Sequence, residues 1–160
     1  MHCHVTALYA RRIVLSLGLT LCCGFSTTPL LAQERALSLA AKDPDLKWGP
    51  CPPFLPKGCQ IAVLHGDPSQ TNTDLFFKVP AKSTVARHWH TSAERMILVS
   101  GELHVTYDGH KTAVLKPGSY AYGPAKLPHK ADCKSSTPCV LFIAFEAPVD
   151  AVPSEGETKK

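Results

Sequence analysis

The chain has 160 residues, of which 44% are hydrophobic and 19% charged, and a formal net charge of +4. That length suits one domain and excludes two of ordinary size, and so small a charge leaves no nucleic-acid footprint. The 14 prolines argue against long helices and for short strands joined by turns.

Arg11 and Arg12 precede an apolar run over residues 13–25, followed by Ser26-Thr27-Thr28-Pro29-Leu30-Leu31-Ala32-Gln33. A basic start, a short apolar stretch and a small residue before a cut predict a secretory signal peptide over residues 1–32, cleaved after Ala32. The run is shorter than the roughly 20 apolar residues of a membrane span, so no membrane attachment is expected after cleavage. Two weaker patterns overlap it. Leu19-Thr20-Leu21-Cys22 has the outline of a lipoprotein box, but with bulky Leu21 where a small residue belongs. Arg11-Arg12 has the outline of a twin-arginine signal. The expected location is periplasmic or secreted.

Removing residues 1–32 takes Arg11 and Arg12 and no acid, leaving 15 basic against 13 acidic residues. It also takes Cys3, Cys22 and Cys23, leaving four of the seven cysteines. An even number in an oxidising compartment predicts two disulfides. Four cysteines allow three connectivities. Local pairing, Cys51 with Cys59 and Cys133 with Cys139, is the simplest, because each pair brackets a turn-rich loop. Neither pair has the CxxC spacing of a redox dithiol or a thiolate metal site.

Residues 33–59 form an N-terminal arm, weakly helical over residues 34–42 until Asp43-Pro44, then extended where prolines crowd residues 48–56. Short strands with punctuation follow. Residues 61–64 stop at His65-Gly66-Asp67-Pro68, residues 75–79 at Pro80, and residues 96–99 at Ser100-Gly101. Residues 103–107 alternate with period two and end at Asp108-Gly109, a hairpin signal. Residues 112–115, 120–122 and 140–145 continue the series, and strands at this spacing predict an all-β sandwich or barrel. Residues 147–160 are polar and aperiodic and read as a disordered tail.

His88-Trp89-His90-Thr91-Ser92-Ala93-Glu94 is the segment that suggests chemistry. On a strand His88 and His90 share a face and Trp89 takes the other. A turn at Thr91-Ser92 brings Glu94 back toward both imidazoles, giving three corners of a metal site. The plainer reading of the same residues is a pair of surface histidines on an edge strand. Six residues after Glu94 comes Gly101; later, Gly118 is followed by Pro124 and His129.

These spacings resemble those of the cupin superfamily. Residues 82–101 resemble the first cupin motif, G-x5-HxH-x3-4-E-x6-G, with Lys82 at the leading glycine. Residues 118–133 resemble the second, G-x5-PxG-x2-H-x3-N, with Lys126 at its second glycine and Cys133 at the asparagine. Neither departure touches a metal ligand. Trp48-Gly49-Pro50 and residues 63–68 are similar to the entry segment of small single-domain bacterial cupins. The resemblance implies a single cupin jelly-roll barrel over residues 60–146, with His88, His90, Glu94 and His129 at its mouth. It implies one divalent metal ion (iron, manganese, zinc, copper or nickel) and a small-molecule substrate or ligand; a homodimer is left open. Met96 and Leu98 share the face of Glu94 and are candidates for a pocket wall. Tyr120 and Tyr122 share a face of a strand leading toward His129 and are candidates for hydrogen-bond donors behind the ligands. Lys126 is a candidate for meeting an anionic substrate. His65, His104 and His110 read as turn or surface residues. Two functions compete: a metal-dependent oxygenase, oxidase or isomerase, and a non-catalytic protein that captures a metal or small ligand.

Overall fold

The computed structural model describes residues 34–155, so the signal peptide expected over residues 1–32 lies outside the described residues. The chain divides into two compact units, Met1–Ala36 and Leu37–Lys160. Of the first only residues 34–36 are described, and the account concerns the second.

Among the described residues eleven strands run in chain order: β1 Gly49–Pro50, β2 Gln60–His65, β3 Thr73–Val79, β4 Thr84–Trp89, β5 Glu94–Ser100, β6 Leu103–Tyr107, β7 Ala113–Leu115, β8 Tyr120–Gly123, β9 His129–Cys133, β10 Cys139–Phe145 and β11 Val152–Pro153. No helix occurs among the described residues. The strands form two antiparallel sheets, one ordered β1-β2-β3-β10-β5-β8 and the other β11-β4-β9-β6-β7. This is the all-β jelly roll expected. Period-two alternation turns Leu75, Met96, Leu98, Leu141 and Ile143 of the first sheet against Val85, Leu103, Val105, Leu115 and Ala131 of the second, making one core.

The turn signals act as read. Asp108-Gly109 closes the β6–β7 hairpin, with Leu103 opposite Leu115 and Gly109 at positive φ. Gly101 also has positive φ, and a Cβ there would stand 2.8 Å from the Cys139 sulfur, so only glycine fits. Both disulfides pair locally, Cys51–Cys59 and Cys133–Cys139. The second does more than close a loop: Cys133 is in β9 and Cys139 in β10, so it staples the two sheets together.

Two expectations are corrected. The stretch over residues 34–42 is not helical. A helix of nine residues cut off by Pro44 is marginal alone; instead Ala41, Leu46 and Trp48 lie against Ala62, Phe76 and Val140 on the outer face of the first sheet. Lys78 Nζ sits 3.6 Å from the centroid of the Trp48 ring. The tail is not disordered over residues 147–155. Ala147 and Val149 donate backbone hydrogen bonds to Ser92 Oγ and the Pro68 carbonyl, and β11 pairs with β4. Backbone bonding rather than apolar periodicity holds this strap, and its Pro153 is tolerated because β11 is an edge strand.

Candidate metal centre

The site is assembled from three strands and the strap. In β4, Val85 lies opposite Ala131 and His88 opposite His129, with two residues between on β4 against one on β9, so the strand bulges at Ala86-Arg87. The bulge re-aims His88 inward, and the freed Ala86 carbonyl accepts a hydrogen bond from His88 Nδ1–H at 2.7 Å. His90 follows the end of β4, Glu94 opens β5 and His129 opens β9. Ser92 fixes the turn between them: its buried hydroxyl accepts from the amides of Glu146 and Ala147 at 3.0 and 3.1 Å.

His88, His90, Glu94 and His129 are each at most 8% exposed. One ligand nitrogen from each histidine lies within 4.8 Å of the others. Glu94 Oε1 is 3.2 Å from His129 Nε2, and Oε2 is 3.5 Å from His90 Nε2. For metal–ligand bonds of about 2.1 Å, adjacent ligands of an octahedral ion stand roughly 3.0 Å apart, so the carboxylate is placed as a neighbouring ligand would be.

The tautomers decide what this cluster wants. All three Nδ1 atoms face backbone carbonyls, which only accept: Ala86 for His88, Asp150 for His90 and Leu127 for His129. Nδ1 therefore carries the hydrogen in each ring, and a neutral ring leaves Nε2 as a bare lone pair. Burial depresses His88 to about 4 and His129 to about 3, with neighbouring histidines adding to the effect, so these rings are neutral at ordinary pH. The short contact between His129 Nε2 and Glu94 is therefore not an ion pair. It sets a lone pair against a carboxylate, an arrangement that repels itself unless a proton or a cation sits between. Burial pushes the Glu94 carboxyl upward, the response of a carboxylate lacking enough positive charge nearby. Imidazole held by backbone carbonyls is also how metal-binding histidines are oriented. The donor set fits a divalent ion.

Residues that the sequence reading passed over complete the site. The Tyr107 hydroxyl donates to Glu94 Oε1 at 3.4 Å, and burial beside that carboxylate raises the phenol. Gly123 lies opposite Glu94, where a Cβ would approach Glu94 Oε1 to 2.7 Å and its Cγ to 2.8 Å. Asp150 supplies the carbonyl for His90 while its carboxylate accepts from the Thr91 amide and hydroxyl. The signals that could have found them are Gly123 beside the motif proline and the tyrosine ending β6.

Beside the four residues lies a cavity of about 230 Å³. Met96 lines it, whereas Leu98 is fully buried in the core and is not part of the cavity wall. Tyr120 and Tyr122 are 59% and 49% exposed and do not serve the site. The register explains this: Ala121 of β8 faces Met96, so its tyrosines pair with Ile97 and Arg95 on the outer face. Lys126 is exposed and not in the cavity wall. His65 and His110 are exposed, and His104 Nε2 lies 2.9 Å from Glu102 Oε1, away from the site.

The motif glycines replaced by lysine keep their backbone: Lys82 and Lys126 have φ of 57° and 62°. Lys126 also donates its amide to the His90 carbonyl at 2.8 Å, so this left-handed turn braces a site residue.

A cupin-domain family model matches residues 75–145. No curated protein sequence matches the chain. Among solved structures, DMSP lyase DddQ from Ruegeria pomeroyi is similar in fold at 20% identity and a TM-score of 0.60, covering 70% of this chain and 64% of its own. The chain thus spans about two thirds of that lyase's length. The polyketide cyclase RemF from Streptomyces resistomycificus is similar at 16% identity and a TM-score of 0.60, covering 76% and 89%. An RmlC-like cupin from Shewanella frigidimarina is similar at 20% identity and a TM-score of 0.56, covering 73% and 94%. The motif spacings, the family match and the double-sheeted barrel converge, and residues 75–145 are a cupin domain.

Proposed function

We propose that this protein binds one divalent transition-metal ion through His88, His90, Glu94 and His129 and acts on a small organic molecule in the adjoining cavity, as an oxygenase, oxidase or isomerase. One observation carries the reading: one ligand nitrogen from each of the buried His88, His90 and His129 lies within 4.8 Å of the others, with the Glu94 carboxylate 3.5 and 3.2 Å from two of them, and burying such a group costs energy without a cation. Iron, manganese, zinc, copper and nickel all accept this donor set, and the order of affinities does not choose among them. A bound ion supplies Lewis-acid or oxygen chemistry at its open positions. The chain's residues hold the Nε2 atoms in place through the Ala86, Asp150 and Leu127 carbonyls, steady Glu94 through Tyr107, and exclude water with apolar walls. The lyase and the cyclase named above support the small-molecule reading, and two disulfides support a periplasmic or secreted location.

A second reading, capture without turnover, is favoured by one feature. Beyond the four candidate ligands, Asp150 is the sole titratable residue of the cavity wall among the described residues. Protein reconstituted with each metal in turn is tested for dioxygen uptake and for conversion of a panel of small organic compounds. Metal-dependent turnover supports the enzyme, and metal-dependent ligand binding without turnover supports capture. Neither, in fully loaded protein, overturns both.

A further inference from the structure

The cavity wall states what kind of molecule fits beside the four ligands. Apart from His88, His90, Glu94, His129 and Asp150, every lining side chain is apolar. Leu55 of the N-terminal arm, Phe77, Leu141 and Ile143 of the first sheet and Val105 of the second belong to this apolar wall. No lysine, arginine, serine, threonine, asparagine or glutamine lines it among the described residues. Asp150 is engaged at the rim by Thr91.

Resting on the metal-site reading above, we propose that the ligand is a compact apolar body, a ring or a short branched chain, carrying a single oxygen-bearing monoanionic head. Three physical facts select it. The first is size. An engineered apolar cavity of about 150 Å³ takes up benzene, so about 230 Å³ accommodates such a ring with a small head group. The second is polar bookkeeping. A hydroxyl or amide pushed against this wall gives up its hydrogen bonds to water and finds no partner in return, which rejects sugars, polyols and other multiply polar compounds. The third is charge. Three neutral imidazoles and one carboxylate around a divalent ion leave one positive charge, which one carboxylate or enolate head neutralises. A second anionic group would be buried with no cation to meet it, since Lys126 is exposed and Arg87 is turned to Asp108.

The test is calorimetric binding of benzoate, hexanoate, succinate and gluconate to the metal-loaded full chain, with benzyl alcohol offered to metal-free protein. Benzoate or hexanoate binding at least tenfold more tightly than succinate and gluconate is the expected result. Filling the cavity, by Val105→Phe or independently by Ala131→Leu, should weaken benzoate at least tenfold while metal content stays at one ion per chain. If either variant fails to fold, the other and the wild-type ligand series still decide. Metal-loaded protein that binds succinate or gluconate as tightly as benzoate overturns the proposal and leaves the metal site standing. So does benzoate affinity indifferent to both fillings. Protein that takes up no metal yet binds benzyl alcohol in the same cavity upholds the apolar body and sinks the metal reading instead.

Discussion

Gly123 shows how a residue without chemistry of its own can govern the site. Its missing side chain leaves the space that the Glu94 carboxylate occupies, and a Cβ would meet Glu94 Oε1 at 2.7 Å. Gly123→Ala should therefore displace the carboxylate and lower metal affinity by about 10–100-fold, the range seen for residues that orient ligands. Titration of the metal-free variant checks it; unchanged affinity contradicts the placement of Glu94. Lys126 is the opposite case, a side chain where none is wanted. Its left-handed backbone costs an L-residue roughly 1–2 kcal/mol, partly offset by glycine's greater freedom when unfolded. Lys126→Gly should stabilise the protein by about 0.5–1 kcal/mol in denaturant unfolding. Destabilisation would mean that the exposed lysine makes contacts worth more than its strain. The four candidate ligand positions were legible through the resemblance to the two cupin motifs, whose spacings the sequence repeats. Tyr107 and Gly123 were not, because they reach Glu94 from other strands whose register no local pattern announces.

At the scale of elements, the strap over residues 147–155 is the part the sequence concealed. Hydrophobic periodicity finds strands that bury a face, and this segment is held instead by backbone and side-chain hydrogen bonds. Yet Val149, Asp150 and Ala151 line the cavity, and the Asp150 carbonyl fixes the His90 ring. Asp150→Ala keeps that carbonyl but releases Thr91, loosening the strap at its attachment. Metal affinity should fall up to tenfold, and protease cleavage should appear near residue 150 where wild type resists. An uncut variant with unaltered affinity would show the Thr91 contacts to be incidental. A related limit applies to β8. Alternation correctly put Tyr120 and Tyr122 on one face, but only the pairing with β5 says that this face is the outer one.

For the whole molecule, folding must gather three imidazoles and a carboxyl out of water, and this couples stability to pH. His88 falls to about 4 and His129 to about 3, against 6.5 in an unfolded chain. Below 6.5 the unfolded state binds protons that the native metal-free state refuses. Their contribution is therefore undiminished above pH 6.5 and is lost as pH falls toward 4 and 3. Glu94 acts oppositely: its raised carboxyl favours the native state at acidic pH and disfavours it once ionised. Removing that opposing group, metal-free Glu94→Gln should lose more stability than wild type between neutral pH and about pH 4. Denaturant midpoints at the two ends measure it, and equal losses would contradict the buried, undercompensated state of Glu94.

The central claim is that these side chains form a cation site, and metal stoichiometry tests it most directly. Metal-free protein is titrated calorimetrically with each divalent ion in turn, and bound metal is then counted by elemental analysis, for wild type and for His88→Ala combined with His90→Ala. The account predicts one ion per wild-type chain and a raised melting temperature, about 2.7 kcal/mol of stabilisation at one hundred times the dissociation constant. It predicts no bound metal in the double variant, with the β fold retained by circular dichroism. Full metal occupancy in the double variant, or none in the wild type, would contradict it.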